Sequence, residues 1–250
     1  MASLHIILLF IAGLASGFIN VIAGGGSSIT LPLMIFLGLT PGEANGTNRI
    51  SILMQSVAGV ETFRRNKVIT FSEGWRLTLP SALGALAGAL TAVELNEEVM
   101  KWSIVAFMTV VLLLVIFKPE VWIKEHATNA TASNKYLQMV IFFLIGFYGG
   151  FIQVGVGFML IAGLVMGCGF NLVKGNAMKV LIVMVFTVIA LLVFVADGRI
   201  NWLVGVVTGA GSMLGGWLGA KVTIRGGAKY VRWFLIVTLI AMILKLAGVF

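Results

Sequence analysis

GFINVIAGGGSSITLPLMIFLGLTPGEANGTNR, residues 17–49, decides how this chain is read. An apolar run reaches Ala23, and three consecutive glycines, Gly24, Gly25 and Gly26, interrupt it. A second apolar run, Ser27–Leu39, follows at once. It is too short to cross a bilayer unaided, because a spanning helix needs about 20 residues. Contiguous glycines accept positive φ and leave main-chain amides uncovered. The stretch therefore predicts a helix broken or turned at membrane depth, then a short helix, then a polar entry (Pro41 to Arg49) into a third apolar run.

Composition places the break in lipid. Of 250 residues, 60% are apolar and 10% are charged, and the mean hydropathy is +1.08. Soluble domains average about 45–50% apolar and about 25% charged. A soluble domain of this length has no interior large enough to hide the excess. An ordinary soluble enzyme, a disulfide scaffold and a disordered chain are excluded. The apolar blocks are too long for alternating barrel strands of about ten residues, so the class is an all-α polytopic membrane protein. Cys168 is the only cysteine and forms no internal disulfide. It reads as a small apolar packing residue. The net charge of +8 belongs to loops placed by membrane insertion and not to a nucleic-acid partner. Met1–Gly17 lacks a basic start and reads as part of a first span.

Ten apolar segments are expected. The first half holds Leu4–Ala23, Ser27–Leu39, Thr47–Phe63, Trp75–Val93 and Val99–Phe117. The second holds Tyr136–Val154, Phe158–Cys168, Asn176–Ala196, Trp202–Ala220 and Tyr230–Phe250. Eight are long enough to span, and two are short segments after glycine breaks, the second break being Gly155-Val156-Gly157. The polar stretch 118–135 links a first membrane repeat, 1–117, to a second, 136–250. With the amino terminus outside, 13 of the 17 basic residues fall in cytoplasmic loops, Lys174 and Lys179 among them. The linker is then cytoplasmic.

The halves correspond. Gly17-Phe18-Ile19-Asn20 answers to Gly150-Phe151-Ile152-Gln153, and the breaks follow in both. Asn45 to Arg49 answers to Gly175 to Lys179, and Trp75, Gly84 and Gly88 answer to Trp202, Gly211 and Gly215. Five segments per unit is an odd number, so the second unit is inverted. Inverted repeats with interrupted helices mark secondary transporters, whose substrate sits near the midplane between the repeats. Two such units can exchange roles and so alternate access.

Candidate substrate-binding residues cluster at these landmarks: Asn20, Gly24, Gly25, Gly26 and Ser27 at the first break, and Gln153, Gly155 and Gly157 at the second. Asn45, Thr47, Asn48 and Arg49 open the third segment, with Asn176 and Lys179 at the matching place. A helix amino terminus capped by Asn45 or Thr47 suits an anion. Arg49 adds a donor fork for oxyanions. Gly84-x3-Gly88 and Gly211-x3-Gly215-x3-Gly219 read instead as helix-packing ridges. Glu61 pairs with Arg64 and Arg65 at helical spacing. His5 and His126 stand too far apart for a metal site, and no catalytic set or cofactor motif is present. The expected function is a secondary transporter of a small anion, the alternative an anion channel without alternating access. The partners expected are lipid, the small anion and a coupling proton or other ion; a homo-oligomer is compatible with this.

The glycine-run motif (Gly17–Gly38) followed by Pro41-x-x-Ala44-Asn45-Gly46-Thr47-Asn48-Arg49 resembles the TauE/SafE family of membrane transporters, with a degenerate second copy in the other half. The resemblance covers nearly the whole chain. It implies transport of small, often sulfur-containing anions such as sulfite, sulfonates or sulfoacetate-like compounds. It also implies a bacterial inner membrane and export.

Overall fold

The computed structural model describes residues 3–70, 74–117 and 135–246. Most of the expected linker, 118–134, lies outside the described residues, as does His126. Nine α-helices follow in order among them: α1 Ser3–Ile22, α2 Ser27–Phe36, α3 Pro41–Arg65, α4 Trp75–Glu94, α5 Glu97–Phe117, α6 Lys135–Phe151, α7 Val156–Ala162, α8 Leu172–Ala196 and α9 Trp202–Leu246. A π-helical turn, Gly163–Gly167, extends α7. Among the described residues there is no strand. Among the described residues, four stretches are long and apolar enough to cross a membrane: Ser3–Ile22, Trp75–Glu94, Leu172–Ala196 and Trp202–Gly226. The outer surface is apolar, with Leu4, Trp75, Leu137 and Leu192 all more than half exposed, as lipid requires.

Local chemistry sets several boundaries. Thr40 and Glu43 form a reciprocal capping box, with Pro41 at the first helical position of α3. This corrects the expected start: Asn45 to Arg49 lie one to two turns inside α3 and do not cap it. Asn96, Asn171 and Asn201 accept from main-chain N–H groups three residues on, at the starts of α5, α8 and α9. The expected ninth and tenth segments are one helix, α9. No Pro, Asn or Asp stands between Ala220 and Tyr230 to stop it, and the pair Gly226-Gly227 alone does not. At 45 residues it is about 67 Å long, roughly twice a bilayer core. The Glu61 ion pairs are present, with Nε of Arg64 and Arg65 at 2.8 and 2.6 Å.

The halves pack crosswise. α1 runs alongside α9, and α6 alongside α4. A Cβ on Gly211 or Gly215 would collide with the carbonyl of Phe10 or Leu14. One on Gly84 or Gly88 would collide with that of Phe143 or Phe147. Each glycine ridge thus lets one half's fourth helix touch the backbone of the other half's first. The matched residues of the sequence make matched contacts. α3 and α8 run between these pairs and bury most of their length.

Candidate substrate site

Two hairpin turns meet at the centre of the bundle. After α1 the chain turns at Gly24 (φ +101°), and Gly26 comes back against the carbonyl of Ser16. After α6 it turns through Gln153 (φ +69°) and Gly155 (φ +74°), and Gly163 comes back against Phe142 and Ile145. The hairpin tips touch: a Cβ on Gly24 would strike Gly157, and one on Gly157 would strike Gly24. Side chains close each turn. Asn20 Oδ1 accepts from the Gly26 N–H at 3.1 Å, and the Gly25 carbonyl accepts from Ser28 Oγ at 2.7 Å. The Tyr148 hydroxyl donates to the Val154 carbonyl. Left-handed backbone costs a residue with a Cβ about 1–2 kcal/mol. Gln153 is held there by its own side chain, which accepts from Arg49 at 2.8 Å and donates to Thr187 at 2.8 Å.

A cation from each half grips the other half's hairpin. Arg49, on α3, is wholly buried and donates to the carbonyls of Gly149 (2.6 Å) and Gly150 (2.7 Å), to Gln153 Oε1 and to Asn45 Oδ1 (3.3 Å). Its guanidinium also lies 5.1 Å from the Phe194 ring centre. Lys179, on α8, donates to the carbonyls of Asn20 (2.8 Å) and Val21 (2.9 Å). Helix carboxy termini carry partial negative charge, so both cations cap them favourably. Lys179 was expected in a cytoplasmic loop; it is 1% exposed, inside α8. The reason is that Asn171 caps α8, which begins at Leu172, about one turn before the expected start at Asn176. Among the described residues no carboxylate is buried.

Six of the expected residues line one cavity between the hairpins: Asn20, Gly24, Ser27, Gln153, Gly157 and Lys179. Val21, Val156, Val180 and Val183 line it too. The cavity measures about 20 Å³, room for one water and too tight for a polyatomic anion. Gly25, Gly26 and Gly155 shape the turns and do not line the cavity. Asn45, Thr47, Asn48, Arg49 and Asn176 are buried but engaged elsewhere. Asn45 donates to the Phe151 carbonyl at 2.7 Å, Thr47 accepts from the Asn201 N–H, Asn48 accepts from Thr30, and Asn176 donates to Thr223. Three further liners, Ile52, Gln55 and Ser56, escaped the sequence reading. They follow Asn48 at helical spacing on the most polar of the long segments, and that was the available signal.

This arrangement is a two-hairpin core in an apolar shell, with a cation at the cavity wall. The sequence profile described as "Sulfite exporter TauE/SafE" matches residues 9–246. The chain belongs to the TauE/SafE family. Curated relatives agree. "Probable membrane transporter protein ORF9" of Sinorhizobium sp. is 32% identical over 95% of this chain and 90% of the relative. The Escherichia coli K12 "Probable membrane transporter protein YfcA" is 28% identical over 96% and 88%, and a Haemophilus influenzae "Probable membrane transporter protein" is 27% identical over 96% and 93%. No solved structure matches this TauE/SafE chain. Kinship and apolar helices together make it a multi-pass membrane transporter, working in lipid on a small substrate.

Proposed function

We propose that this TauE/SafE protein is a secondary transporter of a small anion, held between the two hairpins and passed by alternating access. One observation carries the reading. Lys179 lines the central cavity with two of its three N–H donors committed to carbonyls, in a core where no described carboxylate is buried. A buried charge without a countercharge is costly, and an entering anion supplies the countercharge. The family description names sulfite, and an oxyanion such as sulfite, a sulfonate or a sulfoacetate-like compound suits an ammonium beside Asn20, Ser27 and the glycine backbone.

The crosswise packing supports two inverted repeats, 1–117 and 136–250, because matched glycines touch matched carbonyls in the opposite half. Two units that grip one another can exchange conformations. The described cavity has room for about one water, so the substrate enters when one hairpin moves. An anion on Lys179 competes with the Asn20 and Val21 carbonyls for the ammonium, and this couples binding to release of the first hairpin. The setting we infer is the bacterial inner membrane, with the amino terminus outside, the linker 118–135 cytoplasmic and a coupling proton or other ion. Export is the direction the family description suggests.

Counterflow in proteoliposomes tests the proposal. Sulfite or methanesulfonate trapped inside should accelerate entry of the same anion, with saturation, and Lys179→Met should abolish it. Flux that neither saturates nor shows counterflow would make the protein a pore.

A further inference from the structure

We infer that the central cavity selects a monoanion that still carries a hydrogen-bond donor, such as hydrogensulfite, and rejects dianions. The inference rests on the anion reading of the cavity and narrows it. Two observations on different helices carry it.

The first is a count of charge. Among the described residues, the two buried basic side chains, Arg49 and Lys179, both belong to the hairpin core, and of the two Lys179 alone lines the cavity. The Arg49 guanidinium is turned away and spends its Nη donors on four oxygen acceptors. Each hairpin contributes an amide side chain to the wall and no acid. One positive charge is neutralised by one negative charge. A second negative charge would be left uncompensated among Val21, Ile52, Val156, Val180 and Val183, where an unpaired charge is strongly disfavoured.

The second is an acceptor with nothing to accept. Gln55 lines the cavity from α3, is 3% exposed, and its Oε1 is buried without a hydrogen-bond partner. The Gln55 amide N–H can donate to any oxyanion, but an oxyanion without a proton leaves Oε1 unpaired. A substrate with an O–H satisfies it, while the deprotonated oxygens face Lys179. Leaving a buried acceptor unmade costs about 1–3 kcal/mol, which corresponds to roughly 5- to 150-fold in affinity. The pair therefore reads both ends of the ligand: the ammonium counts its charge and the amide oxygen checks its proton. By the same logic a doubly charged sulfonate–carboxylate is a poor ligand, although it belongs to the broader class proposed above.

The experiment is thermal stabilisation of the purified full-length protein by four probes. These are sulfite below its second ionisation, sulfite above it, methanesulfonate at both pH values, and sulfate. Methanesulfonate keeps one charge and no donor throughout, so its response reports any titration of the protein itself. Hydrogensulfite should protect best, methanesulfonate more weakly and equally at both pH values, and sulfate and the sulfite dianion least. Gln55→Met should cut the apparent affinity for hydrogensulfite about tenfold, as expected for one lost hydrogen bond to a charged ligand, and leave methanesulfonate within about twofold. Gln55→Asn, the smaller amide, guards against a folding defect and should restore part of the preference. Equal protection by sulfate and hydrogensulfite, or an equal loss for both monoanions in Gln55→Met, overturns this inference alone. Protection by none of the probes overturns the anion reading of the cavity and this inference with it.

Discussion

The two hairpins use the same backbone device but are held with unequal force. Around the second, Arg49 makes four bonds to oxygen, Asn45 pins the Phe151 carbonyl, Gln153 bridges Arg49 to Thr187, and Tyr148 closes the turn. Around the first, Lys179 makes two bonds to carbonyls, and Asn20 adds a main-chain bond and a long 3.5 Å contact to Ser27. Matched positions of the two halves serve as a clamp and a latch. A fixed wall and a movable one are what a carrier needs around a single site, and a bond count of this kind separates them where overall likeness would not.

The sharpest way to break the comparison is Arg49→Ala. It strands two carbonyls and two amide oxygens in a dry core, at about 1–3 kcal/mol each before relaxation. That is most of the stability of an ordinary domain. The variant should fail to give a monodisperse peak on size exclusion, while Arg49→Lys recovers part of the yield. A well-folded Arg49→Ala that merely loses anion protection would move the ligand to Arg49 and reverse the assignment of the two halves. Next in size is Gly24→Ala. It forces a Cβ into Gly157 at φ +101°, adding about 1–2 kcal/mol of backbone strain to about 1–3 kcal/mol of overpacking. The melting temperature should fall by many degrees and counterflow should stop. An unaffected variant would mean that the tips do not meet.

How much of this was legible depends on the kind of signal. The breaks at Gly24–Gly26 and Gly155–Gly157 were readable because short apolar runs and clustered glycines are local facts. The packing role of Gly84, Gly88, Gly211 and Gly215 was readable from spacing, and the structure places each against a carbonyl. The start of α3 was readable but overlooked: Thr40-Pro41-Gly42-Glu43 is a capping box with Pro at its first helical position. The continuity of α9 was not, since a Gly-Gly pair with flanking Lys residues looks the same in a loop and in a helix. Nor was the division of labour between the cations. Residue type favoured Arg49 as the anion ligand, because a guanidinium fits oxyanions better than an ammonium does. Which acceptors each cation meets depends on carbonyls 100 and 158 or more residues away, and no local pattern encodes that.

Lys179 sharpens the comparison with a smaller structural cost. Lys179→Met leaves two carbonyls without a donor but also removes an uncompensated buried charge. These oppose one another, so the net loss should stay below about 2 kcal/mol, well short of the Arg49→Ala loss. Anion protection should vanish while the protein still elutes as a single species. Lys179→Arg would retain the charge but deliver it in a planar fork to a cavity of about 20 Å³, so binding should weaken without disappearing. A Lys179→Met variant as unstable as Arg49→Ala would show two clamps and no latch.

The finest test compares Asn20→Ala with Gln153→Ala, the matched amides of the two turns. Asn20→Ala frees one main-chain N–H near a wet cavity, at a cost of about 1 kcal/mol. Gln153→Ala removes an acceptor from Arg49 and a donor to Thr187 at a residue with φ +69°, at a cost of about 2–3 kcal/mol. Thermal unfolding should therefore rank Gln153→Ala below Asn20→Ala by several degrees. Hydrogen exchange in the untreated protein should show the same ranking without mutation, with amides near Gly24–Gly26 opening before those near Val154–Gly157. An anion that occupies Lys179 should raise exchange at the first turn, because it takes the ammonium from the Asn20 and Val21 carbonyls, and should leave the second turn unchanged because Arg49 does not let go. Equal exchange at both turns with and without anion would mean that the hairpins move as a pair, and the difference in their bonding would then be inherited sequence drift with no part in transport.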